Sequence, residues 1–199
     1  VTVDSTDKGW VSAEDLMKEL ESDPDYLARQ AQDDARRARR DAELAVAEKP
    51  LLEELRTVGC NVESAWDLVN KDDPYPKVLP ILLEHLSRPY PDRVREGIAR
   101  ALAVRDARFA WGTLKELYEA EPAGTDTKDG LAVALAAMSD DDNLAELVDL
   151  VDDAAHGESR VLLLRAFSRA GDPRARPALE KWTADSQLAE EARRILSRT

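Results

Sequence analysis

Residues Val94 to Ala103 read VREGIARALA. Val94, Ile98, Ala101 and Leu102 recur at i, i+4, i+7 and i+8, the stripe of a helix that buries one face. Arg93, Glu96 and Arg100 fall on the opposite face. Similar helices return at Lys128 to Met138, Arg160 to Ala170 and Ala189 to Ser197. Aligned on Leu102, Leu135, Phe167 and Leu196, the copies follow one another at about 33, 32 and 29 residues, a recurrence that marks stacked supersecondary units. In this alignment Arg100, Val133, Arg165 and Arg194 are equivalent.

Between these helices lie partners for them. Lys77 to Leu86 forms the first, with Pro80 near its start; Ala107 to Glu119, Asn143 to Ala154 and Ala175 to Trp182 follow. Tyr90-Pro91-Asp92, Pro122-Ala123-Gly124, Gly157 and Gly171-Asp172-Pro173 punctuate them as turns. Each pair alone exposes an apolar face, and stacking four of them buries a continuous core. That core is expected to hold Leu82, Leu86, Ile98, Leu102, Leu114, Leu117, Leu131, Leu135, Leu147, Leu163, Phe167, Leu179, Ile195 and Leu196.

Upstream the pattern changes. Val1 to Gly9 is polar and aperiodic. Ser12 and Asp15 frame a capping box for a helix over Ala13 to Leu20. Asp23-Pro24 caps and opens a long helix rich in Ala and charge. Its Arg36, Arg37, Arg39 and Arg40 are flanked by Asp33, Asp34 and Asp41, which favours a solvated, self-paired face over a nucleic-acid patch. Pro50 is expected to restart or kink this helix and Gly59 to stop it. A short amphipathic helix, Glu63 to Asn70, carries Trp66. The turn cluster Asp72-Asp73-Pro74-Tyr75-Pro76 then suggests a boundary. The expected organisation is a flexible tail over 1–10, a charged N-terminal helical region over 11–73 and a repeat array over 74–199.

Composition agrees with an all-α chain. Of 199 residues, 43% are hydrophobic and only 5% aromatic, too few β-branched and aromatic residues for sheets. No run approaches the ~18 apolar residues of a membrane span, and no charged-then-apolar leader is legible, so a cytoplasmic protein is expected. The single Cys60 excludes an internal disulfide and a thiolate zinc cluster. A net charge of −13 opposes nonspecific nucleic-acid binding, which needs Lys and Arg against phosphate.

Asp92-x-Val94-Arg95 with Ala101-Leu102 in the same helix resembles the second helix of a HEAT repeat, and Leu79-Pro80-Ile81-Leu82-Leu83 resembles the first. Gly171-Asp172-Pro173-Arg174-Ala175 followed by Pro177-Ala178-Leu179 is similar to the join between short bacterial HEAT-like repeats of the phycobilisome-lyase type. The resemblance covers about Tyr75 to Thr199. It implies an α-solenoid, a right-handed superhelix of about four helix pairs with an N-terminal helical extension. It also implies that the second helices line a concave face that binds another macromolecule. The Lys128 helix departs from the pattern in lacking the Val-Arg opening.

Catalytic signatures are not evident. His85 and His156 are the only histidines, and neither belongs to the His-Glu dipeptides that HEAT-like iron hydroxylases use. There is no GxGxxG, P-loop or G-x-S-x-G elbow. Asp140-Asp141-Asp142 lacks the calcium-loop spacing and reads as capping ahead of Asn143. No metal or cofactor is expected. The expected function is a non-enzymatic module that binds another protein, with an immunity protein or antitoxin as a narrower version. The alternatives are a HEAT-like alkylpurine DNA glycosylase, for which Trp111 would line the groove, and a lyase-like cofactor chaperone. The expected partner-binding residues are Arg93, Glu96, Arg100, Arg165, Arg169 and Arg194.

Overall fold

A computed structural model describes residues 12, 17–18, 21–69, 71, 73–169 and 173–198. The described residues are 73% helix, and no strand occurs among them. It divides into two compact units, 1–43 and 44–199. The expected tail over Val1 to Gly9, Trp10, the bulk of the Ala13 to Leu20 helix and the Gly171-Asp172 part of the last join lie outside the described residues.

Helix α1 spans Pro24–Thr57. Asp23 caps it, its carboxylate accepting from the Asp25 N–H at 2.9 Å. Within the first unit none of its side chains is buried. Instead Arg36 pairs with Asp33, Arg37 with Asp34 and Arg39 with Glu43 along its surface. Such exposed pairs add little each, but together they suit a helix with no apolar face. The helix runs through Pro50 rather than restarting there. The carbonyl that Pro50 cannot serve belongs to Val46, an exposed residue, so water can serve it.

In the second unit the close of α1 is buried through Leu51, Leu52 and Leu55. Gly59, at φ +84°, turns the chain. Gly59 N–H bonds the Arg56 carbonyl and Cys60 N–H the Leu55 carbonyl, a Schellman closure. The short α2 (Trp66–Val69) follows. Buried Glu48 receives the Ala65 N–H at 2.6 Å, and burial pushes its carboxyl up.

Four helix pairs come next. They are α3 (Leu79–Leu86) with α4 (Asp92–Ala101), and α5 (Trp111–Ala120) with α6 (Asp126–Met138). Then come α7 (Leu144–Asp152) with α8 (Arg160–Leu163), and α9 (Ala175–Trp182) with α10 (Ala189–Leu196). Each second helix packs on its first. In addition α4 packs on α6, α6 on α8, and α10 on the 3₁₀ segment Leu164–Ser168. Twelve of the fourteen expected core residues are buried; Leu117 and Leu196 are half-buried at its margin.

The second helix of the third pair is shorter than its periodicity suggests. In place of the expected Arg160 to Ala170 helix there is a single α-helical turn, α8, then the 3₁₀ segment Leu164–Ser168, and a 3₁₀ turn (Ala154–Ser159) precedes them. Gly157, at φ +66°, breaks the entry. The fourth copy also has a different register. Four basic residues, Arg95, Lys128, Arg160 and Arg193, each donate to a carbonyl at the end of their own first helix. Arg95 reaches Leu86, Lys128 reaches Tyr118 and Glu121, Arg160 reaches Val151, and Arg193 reaches Thr183, at 2.7–3.3 Å. They supply the cation and the donor that a helix C-terminus lacks. They recur at about 33, 32 and 33 residues, so this register is the regular one. In it Arg198, not Arg194, corresponds to Arg100 and Arg165. Arg194 corresponds to Glu96 and Asp129.

Two of the four also tie one pair to the next. Arg95 grips Glu121 with two bonds, 3.0 and 2.7 Å, and Arg160 bonds Asp185 at 3.1 Å and Gln187 at 2.5 Å. Asp92, which opens α4, caps α6: it accepts from the Asp126 and Thr127 N–H groups and the Thr127 hydroxyl. Burial raises the Asp92 carboxyl, but these bonds outweigh it and hold the group below the usual carboxylate range.

Candidate partner-binding surface

The six expected residues stand on the second helices or just beyond their ends, as one candidate surface. Its centre is built on α4. Glu96 is 5% exposed, although the apolar stripe places it opposite Ile98. It is covered because α4 is packed on two flanks. A Cβ on Gly97 would lie 2.7 Å from the Trp66 indole Nε1, and one on Gly130 would lie 2.9 Å from the Glu96 carbonyl oxygen. The glycines let α2 and α6 approach this closely, and Glu96 closes over between them.

The buried carboxylate is neutralised from both sides. Arg93 Nη1 lies 2.5 Å and Arg100 Nε 2.7 Å from its oxygens. Both guanidiniums also stand over the Trp66 ring, at 3.9 and 5.9 Å from its centre. Arg93, Glu96 and Arg100 therefore form one cluster with an indole base. The other three lie apart from it. Arg169 donates to the Ala136 carbonyl at 2.6 Å, and Arg194 is paired with Glu191. The exposed Arg165 guanidinium has no hydrogen-bond or ion-pair partner among the described residues.

The arginine pattern in the sequence did not reveal the acidic side of this face. Asp126, Asp129 and Glu158 stand in or just before the first turns of α6 and α8. Burial raises the Asp129 carboxyl. Arg100 works against that shift, while Glu96, Asp126 and Glu158 add to it. The signal was present as carboxylates two before and one after Lys128, and two before Arg160. On this face carboxylates thus gather at the N-terminal ends of α6 and α8, and Arg100, Arg165 and Arg169 at or beyond the C-terminal ends, an arrangement that also suits the helix dipoles.

The polar residues singled out in the sequence are held by structural bonds. Fully buried His85 contacts the Tyr90 hydroxyl through Nδ1 at 2.7 Å and Glu54 through Nε2 at 2.8 Å. His156 packs against Tyr118 with the rings tilted by 53°; the Tyr118 hydroxyl lies 2.9 Å from Ser159 Oγ, and burial pushes its pKa up to about 12. Asp140 pairs with Arg108, and its N–H donates to Asn143 Oδ1, so the acidic run is a turn. Trp111 opens α5, a first helix, and so lies off the second-helix face. Trp182 is core, edge-on to Phe167. Among the described residues no three His, Cys, Asp or Glu side chains converge as metal ligands, and no helix is long and apolar enough to cross a membrane.

Comparison of the chain with known protein families, curated proteins and solved structures returned no match.

Proposed function

We propose that the chain is a HEAT-like solenoid, a non-enzymatic module that binds another protein on the concave face formed by its second helices. One observation carries this reading. That face sets Asp129, Glu158 and Arg165, none of whose side chains has a hydrogen-bond or ion-pair partner among the described residues, beside half-buried Val161 and Leu162, whereas most ionisable groups around it are engaged. Surfaces that mix arginine, carboxylate and apolar area suit protein recognition. The buried ionisable groups support a scaffold rather than a catalyst. Lys128 and Arg160 serve backbone carbonyls, and His85 has both nitrogens engaged. An acidic chain of this kind would serve as an immunity protein or antitoxin by covering a basic partner.

The test is capture of partners from the native cell by mass spectrometry, followed by titration of each against variants. Arg165→Glu is the cleaner probe, because its guanidinium makes no hydrogen bond or ion pair among the described residues. It should weaken binding by about tenfold at low salt and leave the melting temperature unchanged. Arg100→Glu is not clean, since it opposes buried Glu96. A partner that binds Arg165→Glu and the parent equally well would refute the concave-face assignment.

A further inference from the structure

Where the N-terminal ends of α6 and α8 approach the turn before α10, the second-helix face sinks into a trough of about 470 Å³. Asp129 and Glu158 stand on its walls, Val161 and Leu162 form its floor, and Ser186 and Gln187 close its end. The floor is half-buried and rests on the core. Gln187 is fixed by its bond from Arg160. Neither wall carboxylate has a hydrogen-bond or ion-pair partner among the described residues. Nearby carboxylates do: Glu96 has Arg93 and Arg100, Glu121 has Arg95, Asp185 has Arg160 and Glu191 has Arg194.

We propose that this trough seats a basic side chain, arginine or lysine, projecting from a partner protein. Its aliphatic stem lies on Val161 and Leu162, and its cationic head lies between Asp129 and Glu158. This rests on the binding-face reading above and names the chemistry of the partner. Charge complementarity selects the occupant. Two carboxylates without an ion-pair partner, offset only in part by the more distant Arg100, repel phosphate and favour a cation, and an apolar floor favours one carried on methylenes. The net charge of −13 draws a basic partner from a distance. Asp129 supplies the local gain. Burial and the nearby Glu96, Asp126 and Glu158, only partly offset by Arg100, hold its carboxyl above the usual range, and an entering cation relieves that strain. Binding therefore weakens as pH falls through the raised Asp129 pKa, because the cation binds the ionised form.

The probe is a fluorescein-labelled, alanine-based helical peptide carrying four arginines, with a twin in which citrulline replaces each arginine. Anisotropy titrations compare the parent, Asp129→Asn/Glu158→Gln, and a charge-matched control, Glu53→Gln/Glu116→Gln, in which both sites are exposed and outside the trough. The trough variant should lose about tenfold in affinity for the arginine peptide and the control less than about twofold, while the citrulline twin binds none of them. The trough variant should keep the parent's circular dichroism spectrum and cooperative melting, since its carboxylates make no hydrogen bond, and should lose the pH dependence. Equal losses in the two double variants, or citrulline binding equal to arginine, would overturn the proposal. If it falls while Arg165→Glu still weakens a captured partner, the binding-face reading survives alone. If Arg165→Glu is silent while the trough variant fails, the trough stands and the wider face falls.

Discussion

Replacing Gly130 by Ala tests the close crossing of α4 and α6. The added Cβ would lie 2.9 Å from the Glu96 carbonyl oxygen and 3.0 Å from the Ala99 Cβ. Both are backbone or rooted directly on it, so no side-chain rotation relieves the contact and the helices must part. Overpacking of this kind costs about 1–3 kcal/mol. Alanine in a helix returns about 0.8–1 kcal/mol relative to glycine, so the net loss is about 0–2 kcal/mol. Gly112→Ala in α5 is the control, because a Cβ there meets nothing within 4 Å. It should gain up to about 1 kcal/mol. The gap between the two variants isolates the contact at about 1–3 kcal/mol, which corresponds to roughly 2–12 °C in melting temperature for a chain of this size. Urea unfolding followed by circular dichroism at equal m-values measures it. If Gly130→Ala stabilises as much as Gly112→Ala, the crossing is looser than described and the reason given for the burial of Glu96 fails.

Other expectations follow from single contacts. Leu102→Ala, at a fully buried site, should cost about 2–5 kcal/mol in urea unfolding. Asp92→Ala removes the acceptor of the first two N–H groups of α6, leaving Thr125 to cap the Lys128 N–H, and should cost about 1–2 kcal/mol; unchanged stability would mean these bonds are idle. For His156, burial and the neighbouring Lys128 and Arg160 lower its pKa below the usual 6.5, against the opposing pull of Asp153 and Glu119. The unfolded chain therefore takes up the proton first. The contribution of His156 to stability is full above 6.5 and is lost as pH falls from there through its folded pKa. Thermal melts between pH 5 and 7.5 should show a shallower slope for His156→Gln than for the parent, and identical slopes would contradict this.

Periodicity made most of the architecture legible. The stripes of Ile98, Leu102, Leu131 and Leu135 give the second helices, and Asp23-Pro24 and Gly59 mark the ends of α1, because apolar spacing and caps are local signals. Burial imposed by another element is not local. Glu96 reads as exposed on its own helix, and only the approach of Trp66 and Gly130 covers it. The interior glycines at 97 and 130 were the available hint. Apolar alignment also misplaced the fourth copy by one helical turn, since Leu196 imitates Leu102. The basic residues that set the true register bond backbone carbonyls, and such bonds leave no hydrophobic pattern. The second helix of the third pair looked continuous because nothing in the run Val161 to Phe167 marks the passage from α-helix to 3₁₀ at Leu164.

The ties that join neighbouring pairs all close short loops: Arg95 to Glu121 spans 26 residues, Asp92 to Thr127 spans 35, and Arg160 to Asp185 spans 25. A chain whose distant contacts are this near in sequence has little loop entropy to overcome, so folding should be quick and can begin at any pair. The same economy of distance weakens all-or-none behaviour. Amide hydrogen exchange should give unequal protection along the chain, with α4 and α6, flanked on both sides, opening last.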